Sequence, residues 1–367
     1  MTGKIRYIVR TFVTAMAVAT FSVAACAASG SHNGGLTDFA SFGTMHYSGH
    51  RFAANRTTPL LQLTDGRQME AAGGFALRRQ NIAAFRAAFT YQASKLNGGP
   101  SYNHNYHIMA AALHRAFPNV IPIADDWGGI PSGPLSIVDK HYYPSRQWFL
   151  NHANLYNRYP RTAPKIFVGE YAVGNTRAKY GDFRSTLAET AFMIGMERNC
   201  DVVRLASYGV AIDNAGAVPC RINLIEFNDK TAFGRSSYWV QYLFNHNKPA
   251  VVYPTRVRIA GLTDTHPRVR HFFADAGVAA NRHRLIIKVD NASGHAMPAT
   301  IHVKGFATVT STGTAIILHE NNPGLDNTFH HPARVVPKKT AFTGAASHFH
   351  YVFQPYSITV LRLRVTR

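Results

Sequence analysis

Cysteine and acidic side chains are the scarce components of this chain. Three cysteines in 367 residues are too few for the disulfide framework that staples small secreted domains. Asp and Glu total 19 against 39 Lys and Arg, giving a formal net charge of +20 and a pI near 10.1. A field of that sign favours anionic partners: nucleic acid, a membrane surface or an acidic polysaccharide. Dense Lys/Arg runs, zinc-finger spacing and RNA-binding aromatic signatures are all missing. The charge therefore reads as a basic solvated surface with no nucleic-acid role. No internal repeat is visible. The 46% hydrophobic and 16% charged content is that of a folded protein, and the length allows two domains with their own cores.

The N-terminus has the pattern of an export signal. Lys4, Arg6 and Arg10 precede a small, apolar run from Thr11 to Ala25, which is short for a membrane-spanning helix. Cleavage at Ala25-Cys26-Ala27 would release the chain. Val23-Ala24-Ala25-Cys26 also resembles a lipobox, which would place a lipid on Cys26 and give the only expected membrane link. Either reading puts the mature chain outside the cytoplasm, secreted, periplasmic or lipid-anchored. Cys200 and Cys220 then remain, as a pair or as two buried thiols. Nineteen histidines include His330-His331 and the alternating His348 and His350. None has zinc spacing with a cysteine, so a metal would need ligands converging from separate segments.

Residues 1–27 are read as the signal and 28–100 as a linker with an unassigned segment. Within the latter, Gly73-Gly74 breaks the pattern and 76–96 has the apolar spacing of a helix (Leu77, Ile82, Phe85, Phe89). From 101 to 247 strands and helices alternate. Helices are expected over 104–117, 145–158 (apolar face Trp148, Phe149, Leu155), 184–197 and 237–244, and strands over 120–124, 135–143, 165–173 and 201–210. That alternation implies a parallel sheet. From 248 to 367 short alternating runs, such as 284–289, 299–303, 314–318 and 357–363, suggest an antiparallel sandwich. Turns are expected at Asp290-Asn291, at 311–313 and at Gln354-Pro355. The fold class is thus α/β, a partial (β/α)8 barrel followed by an antiparallel β-sandwich.

The strand ends carry the chemistry. Ile-Phe-Val-Gly-Glu-Tyr-Ala-Val at 166–173 is an apolar run delivering Glu170 to the C-terminal end of a buried parallel strand, where barrel enzymes keep their reactive groups. Asp125 and Asp126, His141, Tyr142 and Tyr143, Tyr171, and Ser207 and Tyr208 occupy equivalent strand ends. Aromatic rings beside a carboxylate suit a sugar ring. Glycoside hydrolysis needs two carboxyls, and Glu170 is the candidate for the nucleophile or base. Tyr171 is the candidate for holding its oxygen.

Three blocks, Pro164 to Val173, Leu187 to Tyr208 and Ser237 to Phe244, and two tail segments, Leu325 to Pro337 and Pro355 to Val365, resemble in order the family 51 α-L-arabinofuranosidases. The resemblance covers roughly residues 101–367. It implies a (β/α)8 barrel with a sandwich, retaining removal of terminal α-L-arabinofuranosyl groups, and arabinose-containing plant polysaccharide or oligosaccharide as substrate. Glu170 falls on the family's nucleophile. His141, Tyr143 and Gln241 fall on positions lining the sugar subsite. No cofactor or metal is called for, and homo-oligomerisation stays open.

The resemblance stops short of the family's acid/base, which lies in a Gly-Asn-Glu motif. That tripeptide is nowhere in this chain, and Ala93 stands near its expected place. Residues 29–100 are too few for four further βα units. A nucleophile without a positioned acid loses about 10²–10⁴-fold in rate, so the chain alone is expected to be weak or inactive. The other reading is a carbohydrate-binding or surface protein without catalysis.

Overall fold

The computed structural model describes residues 39–44, 72–76, 100–125, 135–174, 181–215, 222–258 and 271–366. The export signal, Cys26, all but Ala76 of the helix expected from 76 to 96, Asp126 and Cys220 lie outside the described residues. Contacts divide the chain into two compact units, 1–108 with 127–131 and 109–126 with 132–367. In the first, β1 (Phe39–Thr44) pairs antiparallel with β2 (Ala72–Ala76). The stretch expected to be a linker thus contains a strand, and the Gly73-Gly74 break lies inside another. Helix α1 (Pro100–Ala116) contributes residues 109–116 to the second unit.

The second unit starts with a four-stranded sheet of order β3-β4-β5-β6 in which every pairing is parallel. Its strands are β3 (Ile123–Asp125), β4 (Ile137–Tyr142), β5 (Lys165–Tyr171) and β6 (Val203–Ala206). β5 is central and buried from Ile166 to Gly169, as the apolar run requires. Between β4 and β5 lies α2 (Arg146–Asn151), capped by Ser145, whose side chain accepts from the Trp148 N–H. The expected longer helix gives way to turns after Asn151, and Leu155, expected on its apolar face, is exposed.

Helix α3 (Phe183–Arg198) follows β5. Asp182 caps it, accepting from the Ser185 N–H at 2.8 Å and the Ser185 hydroxyl at 2.6 Å. Every residue from Ser185 to Met196 is buried, the signature of a helix covered on all sides. Its polar residues are satisfied internally. The Thr190 hydroxyl donates to the Thr186 carbonyl at 2.7 Å, and Thr186 bonds the hydroxyls of Ser236 and Ser237. Cys200, just past this helix, is a free and exposed thiol rather than a buried one. After β6 come a small sheet of β7 (Ile212–Asn214), β8 (Ile225–Phe227) and β9 (Ala232–Gly234), then α4 (Ser236–His246).

The C-terminal part is a six-stranded antiparallel sheet of order β10-β11-β12-β17-β14-β15 and a two-stranded antiparallel ribbon of β13 and β16. The strands are β10 (Val251–Tyr253), β11 (Phe272–Val278), β12 (Arg284–Asn291), β13 (Met297–His302), β14 (Thr308–His319), β15 (Lys338–Thr343), β16 (His348–Phe353) and β17 (Ser357–Thr366). Asp290-Asn291, expected as a turn, forms the end of β12, and 311–313 lie within β14 where its pairing to β17 shifts register. The turn at Gln354-Pro355 does separate β16 from β17.

Two cores meet at this sheet. Leu285, Ile287 and Val289 of β12 and Leu361, Leu363 and Val365 of β17 face the ribbon's Met297, Phe349 and Phe353. Their alternates Ile286, Ile358 and Val360 join the cluster holding Leu187, Phe192 and Ile194 of α3. The central strands are therefore buried on both faces and read as nearly unbroken apolar runs, although they are antiparallel. Lys288 occupies a helix-facing position with 1% exposure. Its ammonium donates to both Glu197 oxygens and lies 4.1 Å from the Phe244 ring centroid. The expected boundary at 247/248 falls inside one compact unit.

Candidate functional site

The site forms where β4 and β5 end. A register shift between Asp139 and His141 sets His141 opposite Glu170. Tyr143 follows β4, and its hydroxyl donates to Glu170 Oε2 at 2.7 Å. The Nδ1 of His141 lies 3.5 Å from the same oxygen, and its Nε2 lies 3.1 Å from Asp139 Oδ2. Asp139 is buried, and its other oxygen accepts the Gly169 N–H at 2.8 Å. A Cβ on residue 169 would sit 2.2 Å from that carboxylate oxygen, so only glycine admits Asp139 at this place. The result is a chain of contacts, Gly169 to Asp139 to His141 to Glu170 to Tyr143, running across two strands.

Charge in this chain centres on the imidazole. Burial disfavours its protonated form, but the Asp139 hydrogen bond and the carboxylates of Asp139, Glu170 and Asp125 outweigh that, and the His141 pKa is raised above its ordinary value. Donor atoms of Asp125, Asp139 and His141 lie within 4.8 Å of one another, close enough for a cation. The two Asp139 oxygens are nevertheless already engaged by the Gly169 N–H and by His141, which accounts for the cluster as an imidazole held by carboxylates.

The sequence placed Tyr171 and Gln241 with these residues, and the structure does not. Successive strand residues point to opposite faces. Tyr171 therefore faces away from Glu170 into the helical layer, 1% exposed, with its ring against Phe192 and Tyr208. Its hydroxyl accepts from the Gln241 amide at 2.5 Å, and Gln241 also reaches Met193. The hydroxyl on Glu170 is that of Tyr143, not of Tyr171. Tyr142 likewise faces the helices, bonded to the Tyr156 hydroxyl at 2.8 Å and stacked on Trp148. The Ser207 hydroxyl donates to the Gly169 carbonyl, and Tyr208 is buried. Of the expected ring of strand-end groups, Glu170 is in contact with both His141 and Tyr143, with Asp125 beside His141.

Sequence reasoning passed over Asp139 and Glu189. Asp139 stands two residues before His141, the strand period, and is a carboxylate inside an apolar run, which was its signal. Glu189 is buried in α3. Its Oε1 accepts the Val173 N–H at 2.9 Å and the Tyr208 hydroxyl at 3.0 Å, and its Oε2 accepts the Ser237 hydroxyl at 2.6 Å. Burial raises its pKa to about 7 against the opposing pull of those three donors. It ties the segment leaving β5 to the segment leaving β6 and to α4.

Comparison with known proteins bears on what this arrangement is. The family model described as the α-L-arabinofuranosidase C-terminal domain matches residues 169–357. An extracellular exo-α-L-arabinofuranosidase of Streptomyces chartreusis is 30% identical over 212 residues, covering 54% of this chain and 25% of that protein. Alpha-L-arabinofuranosidase 1 of Arabidopsis thaliana is 27% identical over 272 residues, covering 71% of this chain and 38% of its own length. The chain thus spans between a quarter and about two fifths of these curated relatives. Among solved structures, an arabinose-bound family 51 α-L-arabinofuranosidase superposes with a TM-score of 0.66 at 26% identity, over 72% of this chain and 43% of that one. The Thermotoga maritima enzyme in complex with arabinose matches in fold, with a TM-score of 0.60 at 15% identity over 72% of this chain and 62% of that one.

Proposed function

This chain belongs to the α-L-arabinofuranosidase C-terminal domain family, and on that premise we propose that it carries the nucleophile half of a retaining glycoside hydrolase site acting on terminal α-L-arabinofuranosyl groups. The parallel sheet β3–β6 is read as part of a (β/α)8 barrel, with the sheet of β10–β12, β14, β15 and β17 and its ribbon as the accompanying β-sandwich. Arabinose-containing plant polysaccharide or oligosaccharide is the substrate class. Export from the cytoplasm fits that substrate, and the Streptomyces relative is named as extracellular.

The observation that carries the reading is the 2.7 Å bond from the Tyr143 hydroxyl to Glu170 Oε2, with His141 on the same oxygen. That oxygen is held, and Oε1 is left to attack. In the reaction, Oε1 forms a bond to the anomeric carbon while the bond from that carbon to the leaving oxygen breaks. The leaving oxygen must take a proton. Water then hydrolyses the glycosyl ester, releasing arabinose and restoring the carboxylate. His141, flanked by Asp139 and Glu170, fixes the carboxylate's orientation and places a proton-bearing nitrogen against it. The sequence holds no Gly-Asn-Glu to donate the proton, so turnover by this chain alone is slow.

The test compares the full chain with its Glu170→Gln variant on aryl α-L-arabinofuranosides of graded leaving-group acidity. An aryl oxide of low pKa leaves without protonation. We expect measurable release of acidic phenols, a steep fall with leaving-group pKa, and loss in Glu170→Gln. Equal rates in both proteins would sink the nucleophile assignment. Fast cleavage regardless of leaving group would show that an acid is present after all.

A further inference from the structure

The histidines of the C-terminal ribbon stand apart from the Glu170 site and share no residue with it. β13 and β16 pair antiparallel with His302 directly opposite His348 and Thr300 directly opposite His350. Alternate residues turn inward: Met297, Phe349 and Phe353 are buried beneath the ribbon. His302, His348, His350 and Thr300 are therefore on the outer face together, and all four are exposed. The His302 and His348 ring centroids are 4.2 Å apart, and those of His348 and His350 are 6.0 Å apart. The remaining outward residues of this register are Pro298 and Val352, so the paired positions supply imidazoles without a carboxylate among them.

We propose that His302, His348 and His350 form a surface site for a divalent transition-metal ion of the zinc class. Imidazole nitrogen is a preferred donor for such ions. With metal–nitrogen bonds of about 2.0–2.1 Å, ring centroids lie roughly 3.2 Å from the ion, and two rings at a tetrahedral angle have centroids about 5 Å apart. The His302–His348 and His348–His350 separations bracket that value, and rotations of the exposed side chains must bring all three nitrogens together. His350 is already oriented. Its Nδ1 lies 3.1 Å from the Thr300 hydroxyl, which directs Nε2 outward in the way that an outer hydrogen bond sets a metal-binding imidazole. Water would complete the coordination. The ion would clip β13 to β16, a ribbon with no third strand paired to it among the described residues.

The experiment is calorimetric titration of the full chain with zinc chloride in a non-coordinating buffer, on wild type, His348→Ala, His302→Ala/His350→Ala and, as control, His330→Ala/His331→Ala. We expect one zinc per chain, affinity weakened tenfold or more by each ribbon variant, and no change in the control. The three substituted ribbon histidines are exposed, and matching circular dichroism and metal-free melting curves would establish that the variants fold. Independently, side-chain nitrogen resonances of these three histidines in wild type should shift on adding one equivalent of zinc while those of His330 and His331 stay. Absence of saturable zinc binding would overturn the proposal. So would zinc binding that the ribbon variants leave unaltered, which would locate the ion elsewhere.

Discussion

A Cβ placed on Gly209 would lie 2.3 Å from the Tyr143 hydroxyl oxygen. The same atom would come within 3.3 Å of the Glu170 Cβ. The backbone just past β6 thus closes over the Tyr143–Glu170 pair, and no side chain fits there unless Tyr143 moves. Gly209→Ala is expected to break the hydrogen bond while leaving the fold largely in place. Turnover of an activated aryl arabinofuranoside should fall tenfold or more, with a melting temperature shifted by a few degrees at most. An unchanged rate would mean that Tyr143 is not needed where it stands.

Tyr143→Phe removes the donor and keeps the ring. A hydrogen bond to a charged group is worth about 1.5–3 kcal/mol, so kcat on the same substrate should drop by roughly one to two orders of magnitude. If Glu170 attacks as proposed, arabinose affinity should change less than kcat, because the hydroxyl bonds that carboxylate. Steady-state kinetics beside calorimetric binding would separate the two effects.

Glu189 makes stability depend on pH. Its reference pKa is 4.5 and its native value is raised to about 7 by burial. Between those values the native chain holds a proton that the unfolded chain has released, so unfolding free energy falls as pH rises through the window. The depth is on the order of 3 kcal/mol for this group. Glu189→Gln keeps an oxygen for Val173 and Tyr208 and offers an amide to Ser237. Its stability should therefore decline less than wild type's from pH 5 to 8. Urea titrations at four pH values on both proteins measure the difference. Asp326, raised to about 6 by burial, adds its own slope at the acid end of this range in both proteins.

Lys288 holds two acids at the joint between sheet and helix. Its ammonium pairs with Glu197, and in the ladder it lies opposite Asp275. Asp275 is fully buried, and its pKa is pushed up by burial and by Glu197 while Lys288 pulls it down. Lys288→Met leaves both acids without that counter-charge, which costs about 3–5 kcal/mol. Lys288→Met/Glu197→Met should recover much of the loss. Denaturant midpoints of the single and double variants test the coupling.

What could be read in the chain depended on how local each signal was. β5 and α3 follow from an apolar run and from a capped stretch of small and apolar residues, and both lie close to their expected limits. Glu170, His141 and Tyr143 meet because strand ends of a parallel sheet fall on one edge. Tyr171 and Gln241 were set on the wrong side because a shared strand end says nothing about which face a side chain takes. Asp139 was hidden by its surroundings: a carboxylate in a buried strand looks like an interruption until Gly169 and His141 are seen to need it. The pairing of His302 with His348 depends on antiparallel register between segments 46 residues apart in number, which no local pattern encodes.

The burial of β12 and β17 on both faces has a consequence for how this protein can be cut or recombined. A sheet that serves as floor to the ribbon and ceiling to α3 cannot be detached as an accessory module. Severing the chain near 248 would bare Ile286, Ile358 and Val360 on one fragment and most of α3 on the other. Recombination that keeps these faces covered must carry β5, α3 and the terminal sheet together, as a single heritable block.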